Sequence, residues 1–593
     1  MTVIALNRLG RYDGATLVHR LAGYLRALPP DVVDEIVERT DGVPLFVEEL
    51  TKAVVEAGAA IGRDFSYELL AAAAPLAEPE LQEALRRLVE AGLVFQRGAP
   101  PAAEYSFKHA LVQDTAYSTL LRGPRQALHR RIAETLEQRF ADVVQMRPEI
   151  VAHHYGEAIM PHKAIAYWHL AGKLSLARSA MRESIAQLRR GLSLLNGLPE
   201  SRERKQIELD ILVTLTSALI GGRGYADPEV VTVLERAQRL VIETAGAGTA
   251  QHYSVLYGLW AFYYVAGQPA AARAQAAEFL SLAQSGTESG HLLIGHRLLA
   301  TAMLQYGDYC EALPHIEKAA SLYRPEEHHE FTAGYSQDIG VSALVYLSWA
   351  LWHRGYPEQS ARAADRALEY SRLFGHAYTL AYALWHIGMQ AIFSRHVKEA
   401  GAYADEYVAL ANEHGFPLWA AYGLVIQGWV AAHNGDTIAG TERIREGLTL
   451  AEATGSRNFD PGHLGLLAEA LALAGKVDEG LSVLDQALAN SAASGQKATD
   501  AELHRLRGEL VRRLPRPDPA QAEASFGSAL AIAREQSTRG YELRAATSLA
   551  RLWREQGRRG EARDLLAPLY GWFTEGFDTQ DLKEAKALLD ELA

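Results

Sequence analysis

Glycine returns at a fixed interval through the second half of the chain. Gly375, Gly415, Gly455 and Gly495 are forty residues apart, and Gly435 and Gly475 stand between them with the same spacing. Further copies fall near Gly267, Gly307, Gly355 and Gly557. Each mid-repeat turn leads into a second helix with a similar opening, as in Gly307-Asp308-Tyr309-Cys310-Glu311-Ala312 and Gly475-Lys476-Val477-Asp478-Glu479-Gly480. Arg395-His396-Val397-Lys398-Glu399-Ala400 fits the same slot without glycine. This period predicts antiparallel helix pairs joined by short turns. Alanines let the paired helices approach, and Leu471, Leu473, Leu481, Leu484 and Leu488 fill the space between pairs. No pair can bury its apolar faces alone, so the pairs must stack into a solenoid. The last helix, Gln580 to Leu592, carries Asp581, Lys583, Glu584, Lys586, Asp590 and Glu591, and reads as a solubilising cap.

Composition narrows the function classes. A formal charge of -13 over 593 residues argues against a dedicated nucleic-acid binder, which needs a basic footprint. The single cysteine, Cys310, permits no intramolecular disulfide and suits a reducing, cytoplasmic setting. No apolar run is long enough to span a bilayer, and the first residues lack the regions of an export signal.

Upstream of the repeats, Val3 to Leu6 reads as a short strand, and Asp13 to Leu25 and Pro30 to Arg39 as helices. Gly42 and Pro44 fit a corner that ends one helix and starts the next. Phe65 to Ala74 and Glu78 to Ala91 read as helices, and Leu93 to Gln96 and Tyr105 to Phe107 as two strands. Two helices and a hairpin describe a winged helix. Arg86 and Arg87 lie among glutamates, which gives weak support to groove reading. After Phe107 a helix is expected from His109 to about Gly123-Pro124, with a second opening at Arg125. A helix start favours an anion, so His109 is either a packed or capping residue or a phosphate reader. The basic run of Arg122, Arg125, His129, Arg130 and Arg131 reads as a solvated face. Arg147 to Ala158, His162 to Ala177 and Arg182 to Leu195 read as helices. His153, His154 and His162 do not share one helical face, and His328 and His329 lack a second ligand-bearing element, so no metal site is expected.

Aromatic residues cluster on the first helices of several repeats: Trp260, Phe262, Tyr263 and Tyr264; Trp349 and Trp352; Trp385; Trp419, Tyr422 and Trp429. They fit either the core between repeats or the lining of a concave groove.

Three phrases carry a family resemblance: TDGVPLFVEELTKAV (Thr40 to Val54), AAIGRDFSYELL (Ala59 to Leu70) and YSFKHALVQDTAYSTLL (Tyr105 to Leu121). Together they resemble the carboxyl-terminal part of bacterial regulators that join a class III adenylate/guanylate cyclase, an AAA-like STAND ATPase and tetratricopeptide repeats. The period near forty exceeds the usual thirty-four of such repeats, which implies helices about one turn longer. The resemblance implies a mainly α fold, a winged-helix-like module followed by a right-handed α-solenoid of long tetratricopeptide-type repeats. It divides the chain into a remnant of the ATPase lid (1–57), the winged-helix-like module (58–122), linker helices (123–204), about nine repeats (205–577) and a capping helix (578–593). It also implies that Gly42 and Pro44 lie against an adenine and that His109 senses the phosphate end.

The chain departs from that pattern in its chemistry. It has no G-x-x-x-x-G-K-[ST] sequence, no acidic strand end before Gly42 and no cyclase domain. Glu56-Ala57-Gly58 runs directly into Ala59-Ala60-Ile61, where the family has a longer segment. The expectation is a cytoplasmic regulatory protein, not catalytic by itself and with no cofactor of its own, though the parent family uses ATP and ADP. It would bind a protein, peptide or small effector on its repeats and work with a nucleotide-binding or cyclase polypeptide, with no membrane and no nucleic acid. Two alternatives stay open: a fragment or subunit of an ATP-binding cyclase, and a transcriptional regulator of the repeat-bearing STAND type.

Overall fold

The computed structural model describes residues 49–593 apart from 75, 245–247, 329–330, 332–334 and 336. The strand and helices expected before residue 40, and the corner at Gly42 and Pro44, lie outside the described residues. The chain divides into two compact units, up to Ala218 and from Leu219 onward.

In the first unit, the helix Glu49–Ile61 runs unbroken through the direct join at Gly58. It leads into β1 (Asp64–Ser66), the helices Tyr67–Ala73 and Glu78–Glu90, then β2 (Val94–Arg97) and β3 (Glu104–Phe107). The sheet is antiparallel with the order β1-β3-β2, and both Phe65 and Gln96 oppose Tyr105. The sheet holds the two expected strands and a third, around Phe65, that was expected to be helical. Phe65 stacks on Tyr105 at 5.7 Å, which commits it to the sheet. Ser66 then starts the helix by accepting a 3.2 Å bond from the Leu69 N–H. Leu70, Leu81, Leu85, Leu88, Tyr105 and Phe107 form the core.

The helices after the sheet also shift from expectation. Ala110–Thr119 is the first and Arg122–Arg139 the second, so Gly123 and Pro124 lie inside the second helix. A proline in a first turn gives up an N–H that has no intrahelical partner anyway. Three further helices, Pro148–Glu157, Pro161–Ala177 and Met181–Leu195, follow close to their expected bounds.

The second unit is an α-solenoid of paired helices. Gly375, Gly415 and Gly495 end their helices in the left-handed conformation, and Gly435, Gly455 and Gly475 also have positive φ. Arg395 and Ser537 occupy the same kind of corner at φ 59° and 56° without being glycine. Leu471 and Leu484 are fully buried between pairs, whereas Leu473 is 42% exposed and does not join them.

Successive superhelical turns of this unit touch. The Arg457 N–H donates to the Val265 carbonyl at 2.9 Å, the Tyr309 hydroxyl to the Ala498 carbonyl at 2.8 Å, and Arg354 Nη1 to the Ser537 carbonyl at 2.8 Å. The Tyr309 and Arg354 bonds link residues 189 and 183 apart, roughly five repeats of chain. Beyond the last full pair, Glu575 accepts the Glu358 and Gln359 N–H groups at 3.0 and 3.1 Å, capping the helix Pro357–Phe374 with negative charge.

Two corner glycines separate conformation from contact. A Cβ on Gly415 would meet nothing within 4 Å, so only its φ of 69° requires glycine. A Cβ on Gly267 would lie 2.8 Å from the Arg457 carbonyl, on the facing superhelical turn. Gly415→Ala should cost about 1–2 kcal/mol of stability. Gly267→Ala should cost roughly 1–3 kcal/mol more, because backbone must move. Urea unfolding of the two variants checks the difference, and equal midpoints would contradict it.

Candidate functional site

The inner helices of the repeats converge on three connected chambers. The first, about 100 Å³, is walled by rings including Tyr264, Tyr309, Trp349, Phe393, Phe459 and Tyr541. It shares Arg395, Glu469 and Arg544 with a larger charged chamber of about 360 Å³. The third, about 80 Å³, shares Tyr264, Tyr346 and Phe459 with the first and is bordered by Arg297, Trp385 and His386.

The aromatic residues singled out in the sequence supply much of this lining. Trp260, Trp349, Trp385, Trp419 and Tyr422 are all buried and all border a chamber. Core and groove lining are therefore the same residues, because the tight superhelix packs its own concave face. Most of their polar edges are matched. Trp260 Nε1 donates to the Leu298 carbonyl at 3.2 Å, Trp349 Nε1 to the His386 carbonyl at 2.8 Å, and Trp429 Nε1 to Glu469 at 2.8 Å. The Tyr264 and Tyr346 hydroxyls pair at 2.7 Å.

The charged chamber is paired from within. Arg505 grips Glu502 through two bonds of 2.8 and 2.7 Å, and Arg544 holds Asp581 through bonds of 2.9 and 2.8 Å. Arg395 stands 3.6 Å from both Asp581 and Glu584. Burial works against the Glu469 carboxylate, but the His433 ring at 3.6 Å and the Trp429 N–H bring it down to about 2. Asp581 and Glu584 belong to the helix Gln580–Leu592, so part of the cap faces inward and anchors it.

Of the sequence-predicted nucleotide contacts, Gly42 and Pro44 lie outside the described residues. His109 is exposed at the start of the helix Ala110–Thr119, and its ring makes no capping bond. The basic run is not wholly solvated. His129 is buried, with one ring nitrogen 2.9 Å from the Tyr117 hydroxyl and the other 2.8 Å from His154. Burial pushes His129 down to about 4 and His154 to about 3. His153 and His162 are exposed. No group of three or more His, Cys, Asp or Glu residues is placed to hold a metal ion among the described residues. No described helix is long and apolar enough to cross a membrane.

Sequence reading did not find Arg297, Glu469, Arg505 or Arg544. They come from different repeats and form no motif. The available signal was a lone charge within an apolar stretch, as in His291-Leu292-Leu293-Ile294-Gly295-His296-Arg297-Leu298-Leu299.

No family model matches the chain. An uncharacterised protein of Rhizobium meliloti (strain 1021) is 25% identical over 577 residues, which cover 90% of this chain and 55% of that protein. The chain thus spans about half the length of the curated relative it matches. Among solved structures, a Rap protein complexed with competence and sporulation factor gives a TM-score of 0.46 at 14% identity, covering 63% of this chain and 98% of that one. A STAND protein with a tetratricopeptide repeat sensor from Pyrococcus horikoshii gives 0.27 at 13% identity, covering 98% of this chain and 74% of that one.

Three buried imidazoles border the chambers and set an acid limit. Burial lowers His353 and His386 to about 3 and His463 to about 4. Each stays neutral in the fold while its unfolded counterpart protonates below about 6.5. Their stabilisation is complete above that value and is lost as pH falls toward the folded values. Asp460, raised to about 6 by burial, acts in the opposite sense. Each histidine should cost about 2 kcal/mol between pH 7 and pH 5. In His463→Gln the fall in unfolding free energy over that interval should shrink by this amount, and an unchanged slope would contradict the assignment.

Proposed function

We propose that this chain is the effector- or partner-binding repeat sensor of a STAND ATPase and nucleotide cyclase system, and is not catalytic by itself. The observation that carries this reading is the set of aromatic and charged chambers enclosed by the inner helices of the repeats. Solenoids use their concave surfaces to bind peptides and small effectors. The similar Rap protein is complexed with competence and sporulation factor, and the similar STAND protein carries a tetratricopeptide repeat sensor. In this reading the winged-helix-like module and the helices that follow it pass the state of the repeats to a nucleotide-binding polypeptide. His109 would meet its phosphate only when that polypeptide supplies the phosphate cradle that this sequence lacks.

A second reading, one part of an ATP-binding cyclase, rests on the resemblance carried by Thr40 to Val54, Ala59 to Leu70 and Tyr105 to Leu121. Calorimetric titration of the full chain with ATP and ADP tests the first reading. No binding in the micromolar range is expected, and His109→Ala should leave that result unchanged. Micromolar binding that His109→Ala weakens would overturn the claim that the phosphate site is missing.

A further inference from the structure

Arg297 sits in the middle of the helix Ser289–Tyr306 with its side chain fully enclosed. None of its three guanidinium nitrogens has a hydrogen-bond partner among the described residues. Arg505 and Arg544, also buried, each hold a carboxylate. The Arg297 guanidinium lies over rings instead, with Trp260 at 4.8 Å and Tyr257 at 5.8 Å from its Cζ, and no ion pair to a carboxylate is found among the described residues. Burial works against its charge, but a guanidinium stays protonated in proteins, and the net direction beside Tyr257, Tyr382 and Tyr346 is upward. Ring faces attract a cation without neutralising it. A guanidinium buried without a counter-charge is costly, and such a group is normally paired.

Two more polar groups on the same chamber are unmatched. Trp385 Nε1–H has no acceptor among the described residues, unlike the N–H groups of Trp260, Trp349 and Trp429. His386 donates its Nδ1–H to the Tyr382 carbonyl at 2.7 Å, which leaves an unpartnered lone pair on Nε2. The chamber therefore offers one cation, one neutral donor and one acceptor between aromatic walls. Its volume of about 80 Å³ has room for a carboxylate, against the roughly 10–15 Å³ that one water needs, and a larger body would reach the neighbouring chamber of about 100 Å³ past the shared Tyr264, Tyr346 and Phe459.

We infer that this chamber binds a single carboxylate carried on an apolar or aromatic body. The guanidinium fork takes the two carboxylate oxygens, a geometry matched to a planar monoanion. Trp385 Nε1–H can donate to the same group. His386 Nε2 accepts an N–H or O–H next to it, and the rings cover the body. A phosphate dianion would bring two charges to one cation in an apolar surround. The carboxylate can come from a free small acid or from a peptide C-terminus. The inference rests on the reading of the repeat interior as a binding site. It fails separately from the cyclase coupling, which the nucleotide titration addresses.

The test is thermal unfolding and calorimetry of the full chain with four probes: benzoate, benzamide, N-acetyl-glycyl-phenylalanine and its C-terminal amide. The melting temperature should rise with at least one of the two acids and with neither amide. A response to benzoate alone assigns a free acid, and a response to the acid peptide alone assigns a C-terminus. Arg297→Met should be at least as stable as the parent without ligand, since it removes an uncompensated charge. It should bind the acid at least about tenfold more weakly. Trp385→Phe, which removes only the N–H, should weaken binding about threefold to tenfold and keeps the test open if Arg297→Met does not fold. No response to either acid, equal responses to acid and amide, or unchanged binding in both variants would overturn the inference.

Discussion

The bond from the Arg457 N–H to the Val265 carbonyl joins a corner of one superhelical turn to a corner of the next. One such bond adds only about 0.5–1.5 kcal/mol net. Together with the Tyr309 and Arg354 bonds, however, it decides what the inner helices face. In an open solenoid their aromatic surfaces would line a water-filled groove. Closed in this way they face each other, and Trp385, Tyr346 and Arg297 leave solvent. The apolar area removed is large for residues of this size, at about 25 cal/mol per Å².

Closure also changes the meaning of every charge on the inner surface. On the outside of the solenoid, ion pairs such as Arg372 with Glu406 are exposed and add little. Inside, Arg505 with Glu502 and Arg544 with Asp581 are shielded from water, and removing one partner leaves the other stranded. The charged chamber is internally paired, whereas Arg297 is not. A repeat protein that holds unmatched charge at its centre has a place where a ligand changes the electrostatic balance of several helices at once.

The repeat architecture was legible because its signal is periodic and backbone-based. A left-handed corner favours glycine wherever nothing else compensates, so forty-residue spacing shows at the level of single letters. Arg395 shows the limit of that signal. It takes the same backbone conformation without being glycine, as Ser537 does, and its side chain reaches Asp581 and Glu584 in the charged chamber. The aromatic lining was half legible, since a tryptophan on an inner helix looks the same whether it packs against a repeat or a ligand. Arg297 and its neighbours were not legible as a site. Their proximity is created by the stacking of neighbouring repeats, which brings Trp260, Trp385 and His386 to Arg297 from 37 to 89 positions away and leaves no local spacing to read. The third strand at Phe65 was missed for a related reason: its partner Tyr105 lies forty residues away.

The corner-to-corner bonds have a consequence for how such a chain can change over time. Open solenoids lengthen or shorten by whole repeats, since each unit meets only its neighbours. Here Val265 must arrive opposite Arg457, and Tyr309 opposite Ala498. Losing or duplicating one unit between them would put the two windings out of phase. Repeat number between these points is therefore frozen, and diversification is left to substitutions on the inner surface.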